Sequence, residues 1–148
     1  MIAAELETFL HDHIPLSRAM AVRVASVSHD RVMLEAPLAP NINHHDTVFG
    51  GSAASVATLA AWSLLHVRLA ALGLATQLVI QRSTMNYLLP MAGDFTAVAA
   101  LDDALAWDAF MRMLTRRGRG RIKLGAVLEC AGQRAGVFEG EFVAFTSD

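Results

Sequence analysis

The sequence predicts an α+β fold in which one curved antiparallel sheet of about six strands wraps a single long helix. Three observations carry this. Val48 to Leu65 runs 18 residues without a charge, and a helix that is apolar all round must be enclosed. Two stretches with strand-like alternation precede that segment and four follow it. At 148 residues the chain has the length of one domain, read as 1–148, and one wrapped sheet is the economical way to cover one helix.

The elements follow in order. Residues 2–13 place Ile2, Leu6, Phe9 and Leu10 at helical spacing, with acids early and histidines late as the helix dipole favours. Pro15 ends this helix, Met20 to Ser28 alternates as a strand, His29-Asp30 turns, and Arg31 to Leu38 returns, so the pair reads as a hairpin. Pro37 and Pro40 lead into the polar loop Asn41-Ile42-Asn43-His44-His45-Asp46. The central helix is expected from about 51 to 72, closed by Gly73. Thr76 to Leu89 and Asp94 to Leu101 read as strands around a turn at Pro90 to Gly93. Asp102 to Arg116 fits either a short helix or an extension of the preceding strand. Gly118 to Cys130 and Arg134 to Thr146 complete the set.

Composition excludes several function classes. Hydrophobic residues make up 54% of the chain and the formal net charge is -2, with a pI near 6.3, so no global field draws nucleic acid or anionic lipid. The single cysteine, Cys130, permits no internal disulfide and fits a reducing compartment, the cytoplasm by expectation. Met1 to Glu7 carries acids where a secretory signal needs bases. The uncharged run reaches the lower length for a membrane span, but its Gly50, Gly51, Ser52, Ser55, Thr58 and Ser63 and the amphipathic strands after it favour a buried helix.

The junction Thr47-Val48-Phe49-Gly50-Gly51-Ser52 is the chemically informative point. Two glycines at a helix start let another molecule approach backbone N–H groups that have no intrahelical partner, where the dipole adds positive charge. A carbonyl that must become an oxyanion finds both there. The loop before the helix supplies Asn43, His44, His45 and Asp46. These histidines, with His11 and His13, are legal metal ligands, but no recognised spacing fixes them to one site, and no metal is expected. Arg117, Arg119, Arg121 and Lys123 occupy alternate positions of the strand expected there, either as an anion-binding face or as a solvated one. His66 reads as a hydrogen-bonded core or interface histidine, and Trp62 and Trp107 as core or interface residues.

Asn43-His44-His45-Asp46-Thr47-Val48-Phe49-Gly50-Gly51 resembles the loop and helix start of hotdog-fold acyl-CoA thioesterases. Met85-Asn86-Tyr87-Leu88-Leu89-Pro90 with Gly93-Asp94 resembles their third strand and its turn. Phe49-Gly50-Gly51-Ser52 with Ala57-Thr58-Leu59-Ala60-Ala61-Trp62 resembles, more narrowly, the thioesterase domain that some bacteria carry behind an acetyltransferase. The resemblance covers roughly residues 20–146. It implies hydrolysis of an acyl-CoA or acyl-carrier-protein thioester, with coenzyme A entering only as part of the substrate and no separate cofactor. It places the oxyanion donor at the Gly51 N–H, and Gly50, Ser52, Thr58, Asn86 and Tyr87 beside the substrate. It also implies a homodimer, or a dimer of dimers, in which the strand of Asn86 and Tyr87 pairs with its twin. Where many relatives carry an acid two turns into the helix, this chain has Thr58. Asp46 is therefore the expected base or nucleophile, with Asn43 positioning carbonyl or water and His45 as a substitute. The rival expectation is a binding module that keeps the oxyanion site and has lost the acid. A dehydratase is disfavoured because the helix holds no Asp or Glu. Under the resemblance, Arg117, Arg119 and Arg121 are candidates for the phosphates of coenzyme A.

Overall fold

The computed structural model describes residues 1–146. Helix α1 (Ala3–His13) and helix α2 (Pro15–Ala19) lead into β1 (Arg23–Val27) and β2 (Arg31–Ala36). A 3-10 turn (Ala39–Asn41) precedes α3 (Gly50–Ala71), followed by β3 (Thr76–Tyr87), β4 (Phe95–Ala100), α4 (Ala104–Arg117), β5 (Arg119–Cys130) and β6 (Gln133–Thr146). All pairings are antiparallel and the six strands lie in the order β1-β2-β4-β5-β6-β3. This is the hotdog fold, with β3 at one edge of the sheet.

Helix α3 lies against the sheet and makes its core. Val56, Ala57, Ala60, Ala61, Leu64 and Leu65 are fully enclosed against Leu34, Phe95, Ala97, Leu128, Phe138 and Phe142. Alanines allow close approach of helix and strands, and truncating one of the buried leucines would cost about 2–5 kcal/mol. Although α3 is long and apolar enough to cross a membrane, most of it is buried within this fold.

Several boundaries differ from those expected. Met20 to Ser28 is not one strand: Pro15 ends α1 but also opens α2 at its first position, where a missing N–H costs nothing. The chain then turns at Ala21, with φ 55, before β1 begins. Strand β2 stops at Ala36 because Pro37 has no N–H, and the N–H of Leu38 donates to Asp94 Oδ1 at 3.0 Å. The ambiguous segment is a helix. Asp103 caps it by accepting the Ala106 N–H at 3.0 Å, and Gly118, at φ 70, ends it. That ending takes Arg117 off the strand on which it was expected.

Helix α3 also carries two buried polar residues, Ser63 and Arg68. Arg68 ties the C-terminal half of the helix to its surroundings: Nη1 donates to the His29 carbonyl at 2.9 Å and lies 3.5 Å from Asp30 Oδ1. Its guanidinium sits 4.3 Å from the Trp107 ring centroid on α4. Burial pulls its pKa down and Asp30 pushes it back up.

Candidate active site

The helix start is held in place by the chain that delivers it. The Val48 N–H donates to the Met91 carbonyl at 2.8 Å and the Phe49 N–H to the Asn41 carbonyl at 2.8 Å. Asn41 is buried, and its Nδ2 donates to the carbonyls of Met20 at 2.9 Å and Pro37 at 2.8 Å. One asparagine thus pins the approach to α3 against the exit of α2 and the end of β2. Its place in a polar loop gave no sign of this, because the Met20 carbonyl, far back in the chain, reaches it only through the fold.

Phe49 is the N-cap position of α3, and no side chain caps the helix. The first intrahelical bond runs from the Ala53 N–H to the Phe49 carbonyl at 3.0 Å, so the N–H groups of Gly50, Gly51 and Ser52 point beyond the helix end without intrahelical partners. Gly51 is exposed, and any Cβ there would overlap the ring of Phe49. On the other side, a cavity of about 320 Å³ reaches Gly50 between Val48, Tyr87, Leu89, Met91 and Leu128. The Tyr87 hydroxyl donates to the Gly50 carbonyl at 3.1 Å, which fixes the end of β3 against the helix start.

Strand alternation separates the two residues expected from β3. Tyr87 faces the helix start, whereas Asn86, one position earlier, lies on the opposite face and is exposed. Asn86 is therefore not part of this site within one chain.

In the loop, Asn43 is the organiser. Its Oδ1 accepts the His45 N–H at 2.8 Å and the Thr47 N–H at 3.2 Å, and its Nδ2 donates to Thr47 Oγ1 at 2.9 Å. That leaves one side-chain N–H for anything else. Asn43 presents the loop more than it offers a free amide to a ligand. Asp46 sits at the loop tip at φ 63, a left-handed conformation that Asp and Asn tolerate better than most residues. Its carboxylate is exposed, and among the described residues it neither caps the turn nor forms an ion pair. The rings of His44 and His45 lie 3.9 Å apart, both exposed. Among the described residues no three His, Cys, Asp or Glu side chains converge as a metal site.

Gly51, Ser55, Thr58 and Trp62 are spaced to share one stripe of α3. Beyond the helix start this stripe is lined by a second cavity, also about 320 Å³, whose other wall is Ile14, Leu16 and Met20 from the α1–α2 joint and the end of α2. The Thr58 hydroxyl donates to the Ala54 carbonyl at 2.7 Å, so it is spent on the helix backbone. Trp62 was expected as core or interface. It does pack against the core, yet it also lines this cavity.

His66 is held by stacking rather than by the hydrogen bond expected of it. Its ring lies 4.9 Å from that of Trp62 and 4.4 Å from that of Phe9, and Phe9 stacks in turn on His13 at 4.2 Å. Burial lowers the His66 pKa, and the nearby His13 lowers it further.

The arginines fall elsewhere. Arg119, Arg121 and Lys123 lie on the solvent face of β5, and Arg117 on the last turn of α4. Arg117, Arg119 and Arg121 line a surface notch with Met113 and Val143, and the Arg119 guanidinium lies 5.2 Å from the Phe145 ring centroid. Leu128, which borders the cavity at Gly50, is seven residues along β5 from Arg121, about 24 Å at the rise of a strand. One chain therefore does not gather Gly51 and these arginines into one site.

The fold is that of a hotdog protein, and its central helix begins with backbone N–H groups that no side chain caps. The family described as "Putative thioesterase (yiiD_Cterm)" matches residues 3–146, and the chain belongs to that family. Two solved structures are similar at 27% identity. One is a Chlorobaculum tepidum protein of unknown function, with 98% of this chain and 94% of that one covered and a TM-score of 0.93. The other is described as the putative thioesterase from Shewanella oneidensis, with 97% and 96% covered and a TM-score of 0.85. A thioesterase of Haemophilus influenzae shares the fold at a TM-score of 0.78 and 11% identity, with 99% and 92% covered.

Proposed function

We propose that this protein hydrolyses an acyl-CoA or acyl-carrier-protein thioester, using the N–H groups at the start of α3 as oxyanion donors. The observation that carries this reading is the uncapped first turn: among the described residues the Gly50, Gly51 and Ser52 amides have neither intrahelical nor side-chain partners, Gly50 borders one cavity, and a second begins one turn further on at Ala54 and Ser55. In this reading the thioester oxygen lies at the Gly51 N–H, with Gly50 and Ser52 flanking it. Asp46 takes a proton from water as the water oxygen bonds to the carbonyl carbon. The oxyanion then collapses, the C–S bond breaks, and the sulfur leaves with a proton, giving a carboxylic acid and a thiol. His45 neighbours the base on the same exposed loop.

The site is completed by a second copy. Strand β3 is an edge strand of 12 residues, with Val79, Ile80 and Tyr87 exposed on it and Leu88 and Leu89 exposed just after it. An apolar edge of that length is covered in a stable protein, and antiparallel pairing of β3 with its twin would bury it in a homodimer. We place the enzyme in the cytoplasm, in keeping with its one unpaired cysteine.

A second reading is favoured by one observation. The Thr58 hydroxyl, at the position where the resemblance to hotdog thioesterases implies an acid, donates to the Ala54 carbonyl; a protein built this way would bind the acyl thioester without cleaving it. Release of free thiol from a panel of acyl-CoAs, measured beside binding of the same panel, separates the two. Turnover supports the hydrolase, and binding without turnover supports the module.

A further inference from the structure

We infer that Trp62 is the end wall of an acyl-chain pocket between α2 and α3, and so sets the longest chain the protein accepts. The inference rests on the acyl-thioester reading above for the identity of the ligand, and on three features of its own.

The first is direction. Gly51, Ser55, Thr58 and Trp62 form one stripe of α3, and Ala54, Ser55, Thr58 and Leu59 line the cavity that ends at Trp62. A carbonyl held at the Gly51 amide would lead its chain along this stripe, and Gly51 to Trp62 spans about 16 Å at the rise of an α-helix. The second is chemistry. The opposite wall is Ile14, Leu16 and Met20, and the Thr58 hydroxyl is turned to the helix backbone, so the cavity offers apolar contact to an unbranched aliphatic chain. Its volume, about 320 Å³, lies at the small end of ligand pockets.

The third is rigidity. The Trp62 indole Nε1–H donates to the Leu78 carbonyl on β3 at 2.9 Å. Its ring is stacked by His66 at 4.9 Å and lies 6.3 Å from that of Phe9 on α1. A ring held from the sheet on one side and from α1 and its own helix on the other does not swing aside for a longer chain. Both cavity walls belong to the same chain, which makes this a pocket between helices.

The test is binding of saturated fatty acids of increasing length, which carry a carboxylate for the helix start and need no turnover, read by calorimetry on the intact protein. The unaltered protein should bind up to a defined length and at least tenfold more weakly beyond it. Trp62→Ala should move that limit to longer chains, whereas Trp62→Phe, which loses the hydrogen bond and part of the ring's volume but keeps an aromatic wall, should leave it within one or two methylenes. Ala54→Leu, which fills the pocket without touching the wall, should weaken binding of all lengths at least tenfold. An unchanged limit in a folded Trp62→Ala, or undiminished binding in Ala54→Leu, overturns the inference; so does absence of length-dependent binding, the result expected if a second copy simply covers this face. Thiol release from acyl-CoAs is scored separately: a limit that moves without any hydrolysis upholds the pocket and sinks the hydrolase reading.

Discussion

Replacing Gly51 by proline tests the oxyanion donor at the level of a single N–H. Proline deletes that N–H, and no intrahelical bond is lost with it, because the first N–H to donate within the helix is that of Ala53. Its fixed φ suits the first turn of a helix, and the preceding residue, Gly50, tolerates the steric demand of a following proline. The complication is steric: any Cβ at position 51 meets the Phe49 ring. That ring is 57% exposed and can swing into solvent, and Gly51→Ala imposes the same displacement while keeping the N–H. The ratio of the two variants therefore isolates the donor. Losing one such donor costs about 3 kcal/mol in the barrier, or about 10²-fold in turnover. The assay is kcat for thiol release from one acyl-CoA, with circular dichroism and Tm confirming that both variants fold. Equal turnover by Gly51→Pro and Gly51→Ala would refute the assignment of the Gly51 amide.

Asp46→Asn preserves the left-handed turn at φ 63 and removes the base, so kcat should fall by about 100-fold with Tm unchanged; near-normal turnover removes Asp46 from the mechanism. Asn41→Leu strands the carbonyls of Met20 and Pro37 and should destabilise the fold by about 2–4 kcal/mol in urea titration, and a loss under about 0.5 kcal/mol would contradict the anchoring role. Because the His66 pKa is held below its ordinary 6.5, the unfolded chain binds more protons than the folded one just below that pH. Stability intact above pH 6.5 is then lost as pH falls through the folded value. His66→Phe keeps the stack and should flatten this acid limb, and an identical limb in the variant would show that other groups carry it. Ile80→Lys, on the exposed edge strand, should convert a homodimer to monomer in light scattering, whereas a parent that is already monomeric counters the pairing of β3.

The outline of the fold was legible because its signals are local. An uncharged helix and alternating strands state their period in the sequence, and Gly73 closes the central helix as glycine does at φ 70. Pro15 misled because proline both stops one helix and opens the next, and local pattern does not choose between these roles. The Gly50-Gly51 junction was legible as an open helix start. What lies around it was not. Asn41 is buried by Met20 and Pro37, Trp62 is placed by Leu78, Phe9 and His66, and the second cavity wall is α2. Apart from Pro37 beside Asn41 and His66 beside Trp62, each four residues away, these neighbours come from distant chain. The place of the arginines was hidden for a related reason: parity along β5 groups Arg119 and Arg121 on one face without saying how far that face lies from the helix start of the same chain.

Whether the open amides of α3 serve thioester cleavage is measured most directly as free thiol released by purified protein from acyl-CoAs of graded length. Turnover should stop rising beyond the length the Trp62 wall admits and should drop about 10²-fold in Gly51→Pro relative to Gly51→Ala. Acyl-CoAs that bind and remain intact over many protein equivalents would contradict that role.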